Sequence, residues 1–283
     1  MVRNTAKTFV LLAALAGFFV LTGSLLGGAI GTAIGLVLGL ALVGGSYWFS
    51  DRLAVRGAGA RPVQPGELEW LQADVGAIAR RAGLPAPRLF ISPESQPNAF
   101  ATGRNEKHAV VCVTAGLLHA LDRDEVRGVV AHEVAHIRHR DILIGSVAAA
   151  VATGISAVAN LAMFSAMFGG SEDDDRPHPF VVVLLALVAP IGATIMQMAL
   201  SRSREYEADR LGAELIGDPL PLARALHKLD RLAGRVPMNV TPAQATAYIV
   251  NPLTGRNVSF ARLFLTHPST EERIARLVGH TAR

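Results

Sequence analysis

Thiol is nearly absent from this chain. Its 283 residues include one cysteine, Cys112, which excludes an internal disulfide framework. Cys112 lies in the alternating run HAVVCVTAG, where a small core residue is expected, and no partner in the sequence marks it as an activated nucleophile. Long basic runs are missing too. The formal charge is only +4, so the electrostatic footprint of a nucleic-acid binder is lacking. What fills the chain is apolar: hydrophobic residues make up 51% and mean hydropathy is +0.35, which is high for a soluble domain.

That apolar content is gathered in stretches. The first fifty residues offer two, about Thr8–Thr22 and about Leu25–Phe49. Each nears the length of a bilayer-crossing helix, the first being short. Arg3 and Lys7 precede the pair, and Asp51, Arg52, Arg56 and Arg61 follow it. Positive charge on one side predicts a hairpin with both ends cytoplasmic. A cleaved leader ending near Gly23 is the competing reading, but no polar mature start follows it. Gly27, Gly31, Gly35 and Gly39 recur every four residues and form one helix face that another helix can approach closely. Packing against the neighbouring span of the same chain is favoured over oligomerisation. Two more apolar stretches, 141–168 and 180–200, flank the acidic loop Ser171–His178. The loop is poor in Lys and Arg, whereas Arg138, Arg140, Arg202 and Arg204 stand at the opposite ends. The same rule puts the loop outside and the flanking segments inside. The acidic run itself reads as a solvated loop rather than a cation site.

Between the hairpins the chain is mixed in polarity. Glu67–Gly83 has helical periodicity, with Leu68, Leu71, Val75 and Ile78 near one face. Arg88–Ser92 and His108–Thr114 read as strands, with PNAFATG (Pro97–Gly103) between them. The stretch LDRDEVRGVVAHEVAHIRHRD, Leu121–Asp141, contains H-E-x-x-H. On a helix His132 and His136 share a face and can reach one metal ion, and Glu133 stands where it can take a proton from metal-bound water. Asp122 and Glu125 supply a capping-box pair, and Val126, Val129, Val130 and Ala131 give an apolar face to bury. A surface helix with two chance histidines is the bland alternative. Beyond residue 200, helices are expected over Pro219–Arg235 and Thr270–Val278, with a loop at Pro252 and Gly255. A small sheet beside several helices makes an α+β fold, mainly helical.

Two histidines leave a catalytic zinc one protein ligand short. In SRSREYEADRLGAE, Glu205 and Asp209 are four apart and share a helix face. Glu205 could bind the metal and Asp209 could fix the tautomer of a ligand histidine; Glu207 is a weaker candidate. An ordinary charged helix, with Arg202 and Arg204 pairing these acids, fits the spacing equally well.

Taken together the chain resembles the HtpX-type membrane zinc metalloproteases, relatives of the CAAX prenyl proteases. The resemblance covers nearly the whole chain. It rests on the N-terminal hairpin, PNAFATG, AHEVAHIRHRD at Ala131–Asp141, SRSREYEAD at Ser201–Asp209, NPLTG at Asn251–Gly255 and THPSTEERI at Thr266–Ile274. It implies a gluzincin-like protease domain held by about four transmembrane helices, and one Zn²⁺ per chain bound by His132, His136 and Glu205, with Asp209 supporting that shell. It also implies that Asn98, Ala99, Phe100 and Ala101 form an edge strand along the cleft, where an extended substrate can add as a further strand; an ordinary buried strand is the alternative. His267 and Arg273, six apart, fall where related proteases place a histidine and an arginine near the substrate or the developing oxyanion. The competing reading is a helix start, with Thr266 or Ser269 as cap and Pro268 beside it. His139 reads as interfacial rather than as a ligand.

The expected function is therefore a membrane-bound zinc endopeptidase, cleaving peptide bonds by Glu133-assisted attack of zinc-bound water. The resemblance implies quality control of misfolded membrane proteins at the bacterial inner membrane, with both termini and the active site cytoplasmic. Its partners would be polypeptide substrates and the lipid bilayer, with no nucleic acid. The expected parts are a hairpin at 1–50, protease segments at 51–140 and 201–283, and a second hairpin at 141–200. A prenyl-protein processing peptidase is the enzymatic alternative, disfavoured because those relatives have more spans. A scaffold or holdase with a vestigial metal site is the other, disfavoured because every proposed ligand and Glu133 are present.

Overall fold

The computed structural model describes residues 2–142, 202–236, 238, 248–250 and 268–279, and several side chains of the first helix lie outside that description. His267, NPLTG, nearly all of the 141–168 stretch, the acidic loop and the 180–200 stretch lie outside the described residues.

Helix α1, Val2–Trp48, breaks at Gly27 and Gly28. Gly28 has φ +54° and ψ −133°, a conformation that side chains other than glycine rarely adopt. The two arms fold back on each other. A Cβ on Gly23 would stand 2.1 Å from the Gly31 carbonyl oxygen, and one on Gly35 would stand 2.2 Å from that of Phe19. Three of the four glycines in the stripe thus face the first arm, since Gly39 also borders Ala16 and Phe19, while Gly27 forms the turn. Large apolar side chains point outward from the second arm, among them Ile30 at 76% and Val37 at 66% exposure. Among the described residues no helix is long and apolar enough to cross a membrane.

After the short helix α2, Ser50–Gly57, four strands form one mixed sheet: β1 Arg61–Pro62, β2 Arg88–Ser92, β3 Ala99–Thr102 and β4 Val110–Thr114. Their order is β1-β2-β4-β3, with β2 and β4 parallel and the outer pairs antiparallel. Strand β4 is buried along its length because its alternating side chains enter two different clusters. Val111 and Val113 join the main core, while Cys112 joins Phe100, Met238 and Tyr248 on the other face. Burial, with Glu133 nearby, pushes the Cys112 thiol up to about 12. The small core residue read from the alternation is what is found.

The main core lies between the sheet and the helices. Leu71, Val75 and Ile78 of α3 (Glu69–Arg81) pack with Val126, Val129 and Val130 of α5 (Arg123–His139), which follows the short α4 (Ala115–Ala120). Helices α6 (Arg202–Ile216), α7 (Leu220–Ala233) and α8 (Thr270–Gly279) complete the layer. The start of α5 is a capping box: Asp122 Oδ1 accepts from the Glu125 N–H at 2.9 Å, and Glu125 Oε2 accepts from the Asp122 N–H at 3.0 Å. Ser269 Oγ accepts from the Glu272 N–H at 3.2 Å, so Ser269 caps α8. The end of α5 turns through Arg140 at φ +60° and folds Asp141 back toward the helix.

Candidate metal centre

Helix α6 covers the face of α5 that carries His132 and His136. Gly212 makes that approach possible: a Cβ there would meet the His132 backbone nitrogen at 3.0 Å. The two Nε2 atoms are 3.1 Å apart. Glu205 brings carboxylate oxygens to 3.7 Å from His132 Nε2 and 3.6 Å from His136 Nε2. One ligand atom from each of the three lies within 4.8 Å of the others.

Each imidazole is held from behind by a carboxylate. His132 Nδ1 is 2.9 Å from Asp209 Oδ1, and His136 Nδ1 is 3.3 Å from Asp141 Oδ2. An ionised carboxylate only accepts, so each Nδ1 carries the proton and each Nε2 turns its lone pair inward. Two lone pairs facing at 3.1 Å repel unless a proton or a metal ion lies between them. Two Zn–N bonds of about 2.0–2.1 Å at a tetrahedral angle would hold their nitrogens about 3.3 Å apart. The donor set therefore fits zinc in both type and spacing.

The electrostatics point the same way. Burial pushes His132 down to about 4 against the pull of Asp209. Burial also opposes the charged form of His136, but Glu205, Asp141 and Glu133 outweigh it and lift that ring to about 9. The pocket's carboxylates thus draw positive charge to the space between the rings. Glu133 is 2% exposed. Burial, reinforced by Glu205, pushes it up to about 7, against His136, Arg273 and a hydrogen bond from the Ala101 backbone. A carboxyl near neutrality suits a general base.

The structure brings Arg273 to this cluster, in a buried position. Its Nε and Nη2 donate to Asp209 at 2.8 and 2.7 Å. Its Nη1 donates to the Ile249 carbonyl at 2.9 Å and lies 3.8 Å from Glu205. Glu207 pairs with Arg210 on the outer face of α6. His139 sits apart from the three ligands, in a separate cavity of about 770 Å³ with Arg81, Arg138 and Arg204. Strand β3 lies at the edge of the described sheet, and its Ala101 N–H meets Glu133. Its Ala99 carbonyl, however, accepts from the Ile249 N–H at 3.0 Å. Two contributors escaped sequence reasoning. Asp141 stands five residues beyond His136, a spacing no regular helix makes useful; only the left-handed turn at Arg140 brings it back. The segment Ile249–Val250 is the other: it is remote in sequence from Ala99 and Asn98, which bind it.

Comparison with known proteins shows what the chain is similar to. The family described as Peptidase family M48 matches over residues 65–281. A "Protease HtpX homolog" from Desulfatibacillum aliphaticivorans is 47% identical over 279 residues, covering 98% of this chain and 89% of that protein. Another from Pelotomaculum thermopropionicum is 47% identical over 277 residues, covering 97% and 98%. Among solved structures, the crystal structure of S. mikatae Ste24p is similar in fold, with a TM-score of 0.53, 20% identity, and 98% of this chain and 67% of that one covered.

Proposed function

The chain belongs to peptidase family M48 and is a metalloprotease, and from that premise we propose that it is a zinc endopeptidase using His132, His136 and Glu205 as metal ligands. The observation that carries this reading is the facing pair of Nε2 atoms, each ring backed by a carboxylate. A bound zinc ion would lower the pKa of water and polarise the peptide carbonyl. Glu133 would serve as the general base toward water and as the carrier of that proton to the leaving nitrogen. Asp209 and Asp141 hold the imidazoles in the ligating tautomer, and Arg273 holds Asp209 in turn. His267 is assigned to the developing oxyanion from its place in the THPSTEER motif.

The N-terminal hairpin, and a second one over 141–200, would anchor the enzyme in the bacterial cytoplasmic membrane. Protease segments 51–140 and 201–283 would then face the cytoplasm. The apolar exterior of α1 and the basic residues flanking it support this placement. A site tethered there meets the cytoplasmic loops of membrane proteins first, which suits quality control of misfolded ones. The test is Glu133→Gln in purified full-length protein. Zinc is retained at one equivalent and cleavage of an unfolded substrate stops; hydrolysis at the parent rate would remove Glu133 from its role.

A further inference from the structure

Tyr248, Ile249 and Val250 lie along β3, and all three are buried. The Ile249 N–H donates to the Ala99 carbonyl at 3.0 Å, and the Ile249 carbonyl accepts from Arg273 at 2.9 Å. The Asn98 amide engages both polar groups of Val250: Nδ2 donates to its carbonyl at 2.9 Å, and Oδ1 accepts from its N–H at 3.4 Å. Four main-chain groups of two consecutive residues are held, and no contact of the four depends on what side chain the held residue carries. Peptide substrates are recognised through the backbone in this way when they add to a sheet edge.

Direction follows from the pairing. Ile249 meets Ala99 and Val250 meets Asn98, so the segment runs antiparallel to β3. Tyr248, whose ring meets Phe100 at 5.2 Å, therefore lies toward the Ala101 end of the edge, and the Ala101 N–H meets Glu133. A bond presented to Glu133 would lie on the N-terminal side of Ile249. Ile249 itself would lie on the leaving-group side, where its side chain is 2% exposed and belongs to the main apolar core.

We propose that Tyr248–Val250 occupies the substrate cleft as the chain's own stand-in for a peptide. Asn98, Ala99 and Arg273 read the substrate backbone on the C-terminal side of the cut bond, and the place of Ile249 takes a large aliphatic side chain. This rests on the endopeptidase reading and names its substrate class: extended chains with Ile, Leu or Val just after the scissile bond. An incoming substrate displaces the resident segment.

The first test is a mixed peptide library digested by the zinc-loaded full-length protein, with cut sites mapped by mass spectrometry. Ile, Leu and Val are expected to exceed Ala and Asp at least tenfold at one of the first positions after the cut. Cleavage without that enrichment overturns the inference and leaves the endopeptidase reading standing, whereas no cleavage overturns both. The second test measures binding of fluorescent acetyl-Tyr-Ile-Val-amide to zinc-loaded Glu133→Gln protein. Adding Ile249→Gly loosens the resident segment and is expected to tighten peptide binding at least tenfold. Equal or weaker binding by a variant that folds and holds one equivalent of zinc overturns self-occupancy. If Ile249→Gly does not fold, Ile249→Val is read in the same way for a smaller rise.

Discussion

Replacing Gly212 with alanine sets two effects of known size against each other. Alanine is favoured over glycine in a helix interior by about 1 kcal/mol, so the change should stabilise α6 taken alone. The new methyl, however, would meet the His132 backbone nitrogen at 3.0 Å, its Cα at 3.1 Å and the Ala131 carbonyl carbon at 3.2 Å. These are backbone atoms of a buried helix, so the helices themselves must separate by a few tenths of an ångström. Overpacking of this kind costs about 1–3 kcal/mol, which cancels or exceeds the propensity gain. The more telling loss is at the metal. Glu205 lies two turns before Gly212 on the same face, so a displaced α6 carries its carboxylate away from both imidazoles. Metal–ligand distances tolerate only about 0.2 Å. We expect Gly212→Ala to fold with an unfolding temperature at or below that of the parent, and to bind zinc at least tenfold more weakly. The assays are chelator competition on full-length protein and thermal unfolding of its metal-free form. A variant with undiminished zinc affinity and a raised unfolding temperature would refute the claim that this helix contact sets the third ligand.

Three other outcomes follow from the same geometry. Asp141→Ala removes the acceptor behind His136 and should weaken zinc binding by about 10- to 100-fold with helix content unchanged; circular dichroism with chelator competition checks this, and parent affinity would contradict it. In metal-free protein burial works against the Asp209 carboxylate, but the charge and hydrogen bonds of Arg273 and the bond from His132 outweigh it and hold the pKa at about 2, against about 3.9 unfolded. A depressed pKa contributes stability that is complete above the unfolded value and lost as pH falls through the folded one. Urea unfolding should therefore show stability falling from about pH 4 to about pH 2, and Asp209→Asn should flatten that slope. Cys112, with its thiol pushed up to about 12 by burial, should resist alkylation at pH 8 in the native chain and react fully in denaturant; rapid native labelling would contradict its placement.

Much of this site was legible because it is local. The capping box of α5 uses residues three apart, the two histidines use residues four apart, and Glu205 and Asp209 share a helix turn. Strand β4 and helices α3, α7 and α8 likewise followed from short-range periodicity and from proline or serine at their starts. What stayed hidden depends on the chain returning from a distance or bending irregularly. Spacing alone left Glu205 and Asp209 undecided between metal work and pairing with Arg202 and Arg204, because no local rule reports which helix packs on which. Arg273 was singled out by its motif, but its bidentate grip on Asp209 exists only once α8 meets α6. Asp141 depends on a left-handed residue, Arg140, a conformation uncommon outside glycine. The contacts of Asn98 join positions 152 residues apart, beyond anything periodicity can register. The glycine stripe is intermediate: its spacing announced a close neighbour, and only the break at Gly27 and Gly28 showed that the neighbour is the preceding arm.

The clasp that Asn98, Ala99 and Arg273 place on main-chain groups has a consequence for discrimination. A residue inside a helix has already committed its N–H and C=O to its own turns, and one inside a sheet has committed them to neighbouring strands. Neither can offer the two carbonyls and two amides that the clasp engages. Only slack polypeptide, with its backbone free of other bonds, satisfies it. A gatekeeper built this way would ask first whether the backbone is free, and only then which side chain stands at the place of Ile249.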